Sequence, residues 1–232
     1  GDPMGENAAM PSIIDVTNIN EKVYDYIKKN ITTFHFPSGY KLNIKQLSET
    51  LGVSQTPIKD ALFRLAGEGL IDITSRTGTY VKNITEADIH EILQTRLILE
   101  TAVIEEITAK ITDEQLQFLK DLYQRGVSLV VNPNDSESYR AFMEYDSEFH
   151  LFFFNVMGNR RLLDIYRNLN AHMQMVRFRL MNHTLGKLPT TDEEHRLILE
   201  ALCERSVSKA RQAIANHIHT LDAVRKQIQH GR

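Results

Sequence analysis

The chain has 232 residues, of which 42% are hydrophobic, and its 27 Lys and Arg against 30 Asp and Glu give a formal net charge of −3. This length allows one large domain or two smaller ones with a real core, and the charge balance excludes a chain that is polycationic throughout. The single cysteine excludes an internal disulfide framework and favours a cytoplasmic protein, while no apolar run approaches the roughly 18 residues of a membrane span and no signal peptide is visible.

The first 17 residues are expected to hold a tag remnant before Met4 and a flexible N-terminus. A first helix is predicted to start after Asn18, because Asn18 and Glu21 match a capping box. The apolar face of this helix consists of Val23, Ile27 and Ile31. We therefore place the beginning of the first domain at residue 18.

Two further helices with a tight turn between them are predicted in residues 43–65. The first follows Asn43 and ends at Gly52, since glycine adopts a left-handed backbone at little cost. The second has Ser54 as its N-cap and Pro57 in its first turn, where a missing N–H costs little. Its apolar stripe consists of Ile58, Ala61, Leu62 and Leu65. Helix, three-residue turn and helix is the spacing of a helix-turn-helix.

The segment GLIDITSRTGTYVKNI, residues 69–84, predicts a β-hairpin. Ile71 and Ile73 alternate onto one face, Ser75 to Gly78 form the turn, and Arg76 lies near its tip. Charge alone does not separate this region from a small helical bundle, because residues 37–82 hold six basic and four acidic side chains. The order and spacing of the elements favour a winged helix-turn-helix over residues 18–82.

The run FPSGYKLNIKQLSETLGVSQTPIKDALFRLAGEGLIDITSRTGTYV, residues 36–81, resembles the DNA-binding domain of GntR-type bacterial transcription regulators. The resemblance implies DNA contacts by Lys45, Ser54, Gln55, Thr56, Lys59 and Gly78. To these we add two basic residues, Arg64 on the same helix and Arg76 in the wing. Family members usually carry arginine where Gln55 and Lys59 stand, and glutamine favours adenine whereas arginine favours guanine.

From residue 85 onward the pattern becomes long helices, with no predicted strand. One helix is capped by Thr85 and Asp88 and extends to about Lys110, and the next is capped by Thr112 and Gln115. Four more are predicted within residues 134–159, 160–181, 191–202 and 208–228. The chain is thus predicted to be mainly α, with a linker at 83–87 and an all-α six-helix bundle over 88–230.

Polar residues fall on the apolar stripes of three of these helices. His217 and His195 each continue an inward-facing stripe, and Asp146 and His150 lie one helical turn apart beside Phe149. A lone histidine in such a position is usually a core residue with a satisfied hydrogen bond. Burying four such groups separately is expensive, whereas one divalent cation satisfies all of them, and D-x-x-x-H is a suitable ligand spacing.

Residues 88–228 resemble the FCD effector domain that follows many GntR heads. The motifs that carry this resemblance are RLILE (96–100), DSEFH (146–150), GN (158–159), EEHRLILEAL (193–202) and NHI (216–218). The resemblance implies metal ligands at Asp146, His150, His195 and His217, with zinc favoured and nickel or manganese as alternatives. It also implies a homodimer and a small carboxylate effector bound beside the metal. Candidates to hold the carboxylate are Arg96, Arg177 and Arg179, with His172 as a pocket residue; the alternative for each arginine is ordinary surface charge.

Three functions are compatible with these features. The favoured one is a homodimeric transcription regulator, acting as a repressor, that reads a palindromic double-stranded operator and responds to the effector. The second is a metal-dependent hydrolase built on the Asp/His₃ site, but no further carboxylate stands out as its general base. The third is an architectural DNA-binding protein whose bundle only dimerises. None of the three involves a membrane.

Overall fold

The computed structural model describes residues 13–129, 136–184 and 188–230, and it divides into two compact units between Lys82 and Asn83. These described residues contain nine helices and one two-stranded antiparallel sheet. The prediction of a mainly α chain is confirmed. None of the helices in the described ranges is both long enough and apolar enough to cross a bilayer.

The N-terminal unit contains three helices followed by a hairpin. They are α1 (Ile13–Thr32), α2 (Ile44–Leu51), α3 (Gln55–Gly67), β1 (Ile71–Thr74) and β2 (Gly78–Val81). Asn43 caps α2 by accepting from the Gln46 N–H, and Gly52 ends α2 with a φ of 66°. The predicted stripe of α3 is buried and packs on α1, so the predicted helix-turn-helix is confirmed.

The start of α1 corrects the sequence prediction. Asn18 lies inside the helix instead of capping it, and residues 13–17, expected in a flexible N-terminus, are helical. The physical reason is that no glycine or proline stands between Ile13 and Glu21 to end a helix. Residues 1–12, which include the expected tag remnant, lie outside the described residues.

The wing is an antiparallel ladder in which Ile71 faces Val81 and Thr74 faces Gly78. Ile71 is buried, whereas Ile73 on the same side of the strand is 42% exposed, because the hairpin extends beyond the core toward its turn. Leu42 joins the wing to α2 by donating its N–H to the Thr79 carbonyl. The hairpin is therefore fixed to the helix-turn-helix and presents its tip to solvent.

The described part of the C-terminal unit consists of six helices, as predicted. They are α4 (Glu86–Thr108), α5 (Asp113–Val127), α6 (Ser136–Met157), α7 (Arg160–Thr184), α8 (Leu188–Cys203) and α9 (Val207–His230). Thr85 with Asp88 and Thr112 with Gln115 form the two predicted capping boxes. α4 packs along α9 and against α6, and α8 packs on α9. This arrangement brings α4, α6, α8 and α9 around one interior.

α4 begins at Glu86, directly after its predicted cap Thr85, so its first turn overlaps the expected linker at 83–87. The start of α8 differs from the sequence prediction. α8 begins at Leu188 rather than at Thr191, so Pro189 lies in its first turn instead of preceding the helix. Proline is tolerated there because the N–H groups of a first turn have no partner within the helix.

Candidate metal centre

The structure brings together the four residues that the helical stripes of the sequence single out. α6 carries Asp146 and His150 one turn apart, α8 carries His195, and α9 carries His217. All four are buried, and one ligand atom from each lies within 4.8 Å of the others. Ligands bound at about 2 Å from a common ion lie roughly 3 to 4 Å apart, so the atoms of this cluster would close in by up to about 1 Å around an ion.

Each of the three histidines has its Nδ1 atom held by another side chain. The pairs are His150 with Glu100 at 2.8 Å, His217 with Glu194 at 2.9 Å, and His195 with Tyr145 at 3.0 Å. Such partners fix the orientation of a metal-bound imidazole and raise its basicity. The three Nε2 atoms are thereby left to face the centre of the cluster.

Two of these Nε2 atoms face each other at an unusually short distance. Because a carboxylate only accepts hydrogen bonds, Nδ1 carries the proton in His150 and in His217. Burial, reinforced by Arg96, lowers the pKa of His217 to about 3 and the pKa of His150 well below its usual value, so both rings are neutral. Two Nε2 lone pairs then face each other at 3.1 Å, with Nη2 of Arg96 as a donor 3.5 Å from the one on His217. A cation between them would convert this repulsion into coordination.

Asp146 and His195 each have a polar atom without a hydrogen-bond partner among the described residues, and both atoms face the centre of the cluster. These atoms, Asp146 Oδ1 and His195 Nε2, are buried and lie 3.5 Å apart. The second carboxylate oxygen of Asp146 is 2.5 Å from Arg177. Against the effect of burial, Arg177 holds the pKa of Asp146 well below its usual range, so this ligand is anionic. The residues present therefore fit a divalent cation.

A small cavity adjoins His217 on the side of the two arginines. Its polar lining consists of Arg96, Arg177, Thr191, Glu194, His217 and Thr220, and its apolar lining consists of Tyr139, Phe142, Leu221 and Val224. The cavity encloses about 30 Å³, which is room for a water molecule.

The four effector candidates from the sequence do not all lie in this cavity. Arg96 and Arg177 line it and are buried, so ordinary surface charge does not describe them. Arg179 instead donates to the Ile84 carbonyl and pairs with Glu86 at 3.0 Å, next to the start of α4. His172 is half-buried on α7 and is not among the described residues that line the cavity.

Sequence reasoning missed the residues that hold the imidazoles. Glu100 and Glu194 lie within motifs used for the family resemblance, and Glu100 stands one turn after Arg96 on a buried stripe. A carboxylate on an apolar stripe therefore indicates a buried partner for a polar group, and this pattern could have identified Glu100. For Tyr145 there was none, because a buried tyrosine beside Phe149 is indistinguishable from ordinary packing.

Close packing between α5 and α6 supplies a stability prediction. A Cβ atom built on Gly126 would lie 2.1 Å from Cζ of Tyr145, whose hydroxyl holds His195. We expect Gly126→Ala to displace the ring and lower the free energy of unfolding by about 1–3 kcal/mol, measured by urea denaturation. The matched control is Gly67→Ala in α3, where nothing lies within 4 Å of the added atom and stability should be unchanged or slightly higher. Equal stability of both variants would contradict the steric account.

Most of the expected DNA-contacting residues lie on the exposed surface of the N-terminal unit. The exposed members are Lys45, Ser54, Gln55, Thr56, Lys59 and Arg76, while Gly78 is half-buried at the base of the wing turn with a φ of 119°. Arg64 is exposed but differs in its contacts: it is 2.7 Å from Glu21, 3.6 Å from Glu68, and 3.6 Å above the ring of Tyr24. Arg64 therefore ties α3 to α1.

Comparison with known proteins identifies both units. A model described as bacterial regulatory proteins, gntR family, matches residues 19–81, and a model of the FCD domain matches residues 91–220. The HTH-type transcriptional repressor RspR of Escherichia coli is 26% identical over 211 residues, which cover 90% of each chain. The regulator YdhC of Bacillus subtilis is 27% identical over 213 residues, covering 90% of this chain and 92% of YdhC.

A solved structure supports the same fold. McbR/YncC of E. coli aligns over 91% of this chain and 98% of its own, with a TM-score of 0.74 at 20% sequence identity. At that identity the likeness concerns the fold: a winged head followed by a helical domain.

Proposed function

This chain belongs to the GntR family of bacterial regulators with an FCD domain, and we propose that it is a repressor whose operator affinity is controlled by a small organic acid bound beside a divalent metal ion. The chain is a DNA-binding transcription regulator, and the matched domains and relatives are regulators, not enzymes, which excludes the hydrolase interpretation. The observation that carries the metal site is the 3.1 Å approach of the Nε2 atoms of His150 and His217, whose Nδ1 atoms face carboxylates.

The residues that would hold the ion are Asp146, His150, His195 and His217. Three imidazoles and one carboxylate suit zinc best, and nickel or manganese also accept this set. When bound, the ion would supply a positive, Lewis-acidic centre that attracts a carboxylate oxygen of the effector. Four side chains would keep these ligands in place, because each already bonds to the ligand atom that faces away from the centre. They are Arg177 for Asp146, Glu100 for His150, Tyr145 for His195 and Glu194 for His217.

The charge of the site supports an anionic effector. With neutral histidines, the site has three carboxylates, the buried Asp146 and Glu100 and the half-buried Glu194, against two buried guanidinium groups, Arg96 and Arg177, which gives a formal charge of −1. A divalent ion raises it to +1, and one carboxylate group then neutralises it. Because uncompensated charge is costly in a buried site, the metal-loaded site favours a carboxylate.

Two copies of the chain form a homodimer in the bacterial cytoplasm and read the two halves of a palindromic operator. Four residues separate β2 from α4, and α4 carries Arg96 at the cavity. An effector that binds one arrangement of α4 more tightly shifts the population toward it, and a tenfold change in operator affinity requires about 1.4 kcal/mol of such preference.

The test is a comparison of acid response in wild type and His150→Ala. Organic acids that raise the thermal midpoint of the zinc-loaded protein are first selected from a panel, and operator affinity is then measured with and without each selected acid. We expect the acid to change operator affinity at least several-fold in wild type and in the control His90→Ala, whose side chain is exposed on α4, but not in His150→Ala. An equal response in His150→Ala would show that the metal site is not the sensor.

A further inference from the structure

Glu100 is a fully buried carboxylate on α4 that contacts both the metal ligands and the cavity. Its exposed fraction is 0%. Oε2 accepts from His150 Nδ1 at 2.8 Å, and Oε1 accepts from Arg96 Nε and from the Tyr166 hydroxyl, each at 2.5 Å. Each of its oxygens therefore serves a different part of the site.

The donors around Glu100 are divided between its two carboxylate oxygens. Arg96 follows the i, i+4 spacing with Glu100 and could satisfy both carboxylate oxygens through its planar fork. Instead, only Nε of Arg96 bonds to Glu100, and the second oxygen is directed to His150. The terminal nitrogens of the guanidinium point toward the cavity, and Nη2 lies 3.5 Å from His217 Nε2.

The other two imidazole partners lack this connection. Tyr145 is a neutral hydroxyl, and Glu194 is half-buried at the cavity edge, where Thr220 donates to its second oxygen. Among these three partners, Glu100 alone is fully buried and bonded to an arginine of the cavity. Loss of its charge would therefore affect a ligand and an effector-binding group at once.

We propose that Glu100 is a positioning residue that couples metal binding to the arginine of the effector cavity. It sets the proton of His150 on Nδ1, so that Nε2 is available to the ion, and it fixes the guanidinium of Arg96 at the cavity through Nε. This inference rests on the metal site of the proposed function. Removal of such a partner from a metal-bound histidine typically weakens metal affinity about 10- to 100-fold.

The first experiment measures the zinc affinity of Glu100→Gln in the full chain by competition with a chelator. Glutamine keeps the shape of the side chain, but an NH2 donor replaces one of the two oxygens, so the positions that face His150 and Arg96 cannot both accept. We expect zinc binding about 10- to 100-fold weaker than in wild type, with unchanged helix content. The matched control is Glu105→Gln on the same helix, whose carboxylate pairs with Arg211 at the surface and whose loss should leave zinc affinity unchanged.

A double variant separates positioning from simple neutralisation of Arg96. Glu100→Gln leaves a buried guanidinium without its carboxylate and is expected to destabilise the fold, whereas Arg96→Met with Glu100→Gln removes both charges. If Glu100 positions His150, the double variant regains stability but still binds zinc about tenfold or more weakly. Recovery of wild-type zinc affinity in the double variant would overturn the inference.

The outcomes also distinguish this inference from the proposed function. Wild-type zinc affinity in a folded Glu100→Gln variant would overturn the role of Glu100 and leave the metal-dependent regulator standing. Failure of the wild-type protein to bind zinc, nickel or manganese would overturn both.

Discussion

Replacing His217 with alanine is expected to remove the metal ion and the stability that the ion confers. Wild-type protein purified without chelator should carry about one divalent ion per chain, and the variant should carry almost none. The variant loses one of four ligands, leaves His150 without its neighbour at 3.1 Å, and leaves Glu194 half-buried without the ring that it holds. Metal analysis of the purified proteins measures the first effect.

Thermal denaturation with added zinc and with chelator measures the second effect. An ion that binds only the folded state at a free concentration about 1,000-fold above its dissociation constant stabilises that state by about 4 kcal/mol. Zinc should therefore raise the midpoint of wild type and leave that of His217→Ala nearly unchanged. The control is His219→Ala, two residues away on the exposed face of α9, which should behave like wild type. A wild-type protein that is isolated empty and cannot be reloaded would contradict the metal site.

The burial of the four candidate ligands was predictable because the information needed for it is local. A helical period places His195 and His217 on buried stripes, and the one-turn spacing of Asp146 and His150 places both on one face. What the sequence did not provide is which side chain meets each Nδ1 atom. That depends on how helices α4, α6, α8 and α9 pack against one another, which no periodicity encodes.

Contacts between helices that are distant in the chain also decide the partners of Arg64 and Arg179. Arg64 has the sequence appearance of a DNA-contacting residue, since it is basic and lies on the exposed part of α3. Its contacts with Tyr24 and Glu21 come from α1, 40 and 43 residues earlier in the chain. Arg179 is likewise only two residues from Arg177, but that spacing turns it to another side of α7, where Glu86 is its partner.

The recognition helix supplies the second large expected effect, a change of base preference. Gln55 is the first residue of α3 and is exposed, and the N-terminal residues of a recognition helix contact base edges. Glutamine fits the N6 and N7 atoms of adenine, whereas arginine fits O6 and N7 of guanine. Gln55→Arg should therefore shift one position in each half-site from adenine to guanine. Each such pair discriminates by about 1–3 kcal/mol, or roughly 5- to 150-fold.

The measurement is selection of binding sites from randomised operators with each protein at a fixed salt concentration. Lys59→Ala is the comparison variant: Lys59 lies one turn after Gln55 on the same exposed face, and its removal should weaken operator binding. Binding by all three proteins should fall steeply as salt rises, because phosphate contacts supply much of the affinity and release counterions. If Gln55 contacts adenine, the optimal site must change in Gln55→Arg. Identical optimal sites for the two proteins would exclude that contact, because a residue that contacts no base can be replaced without altering the preferred sequence.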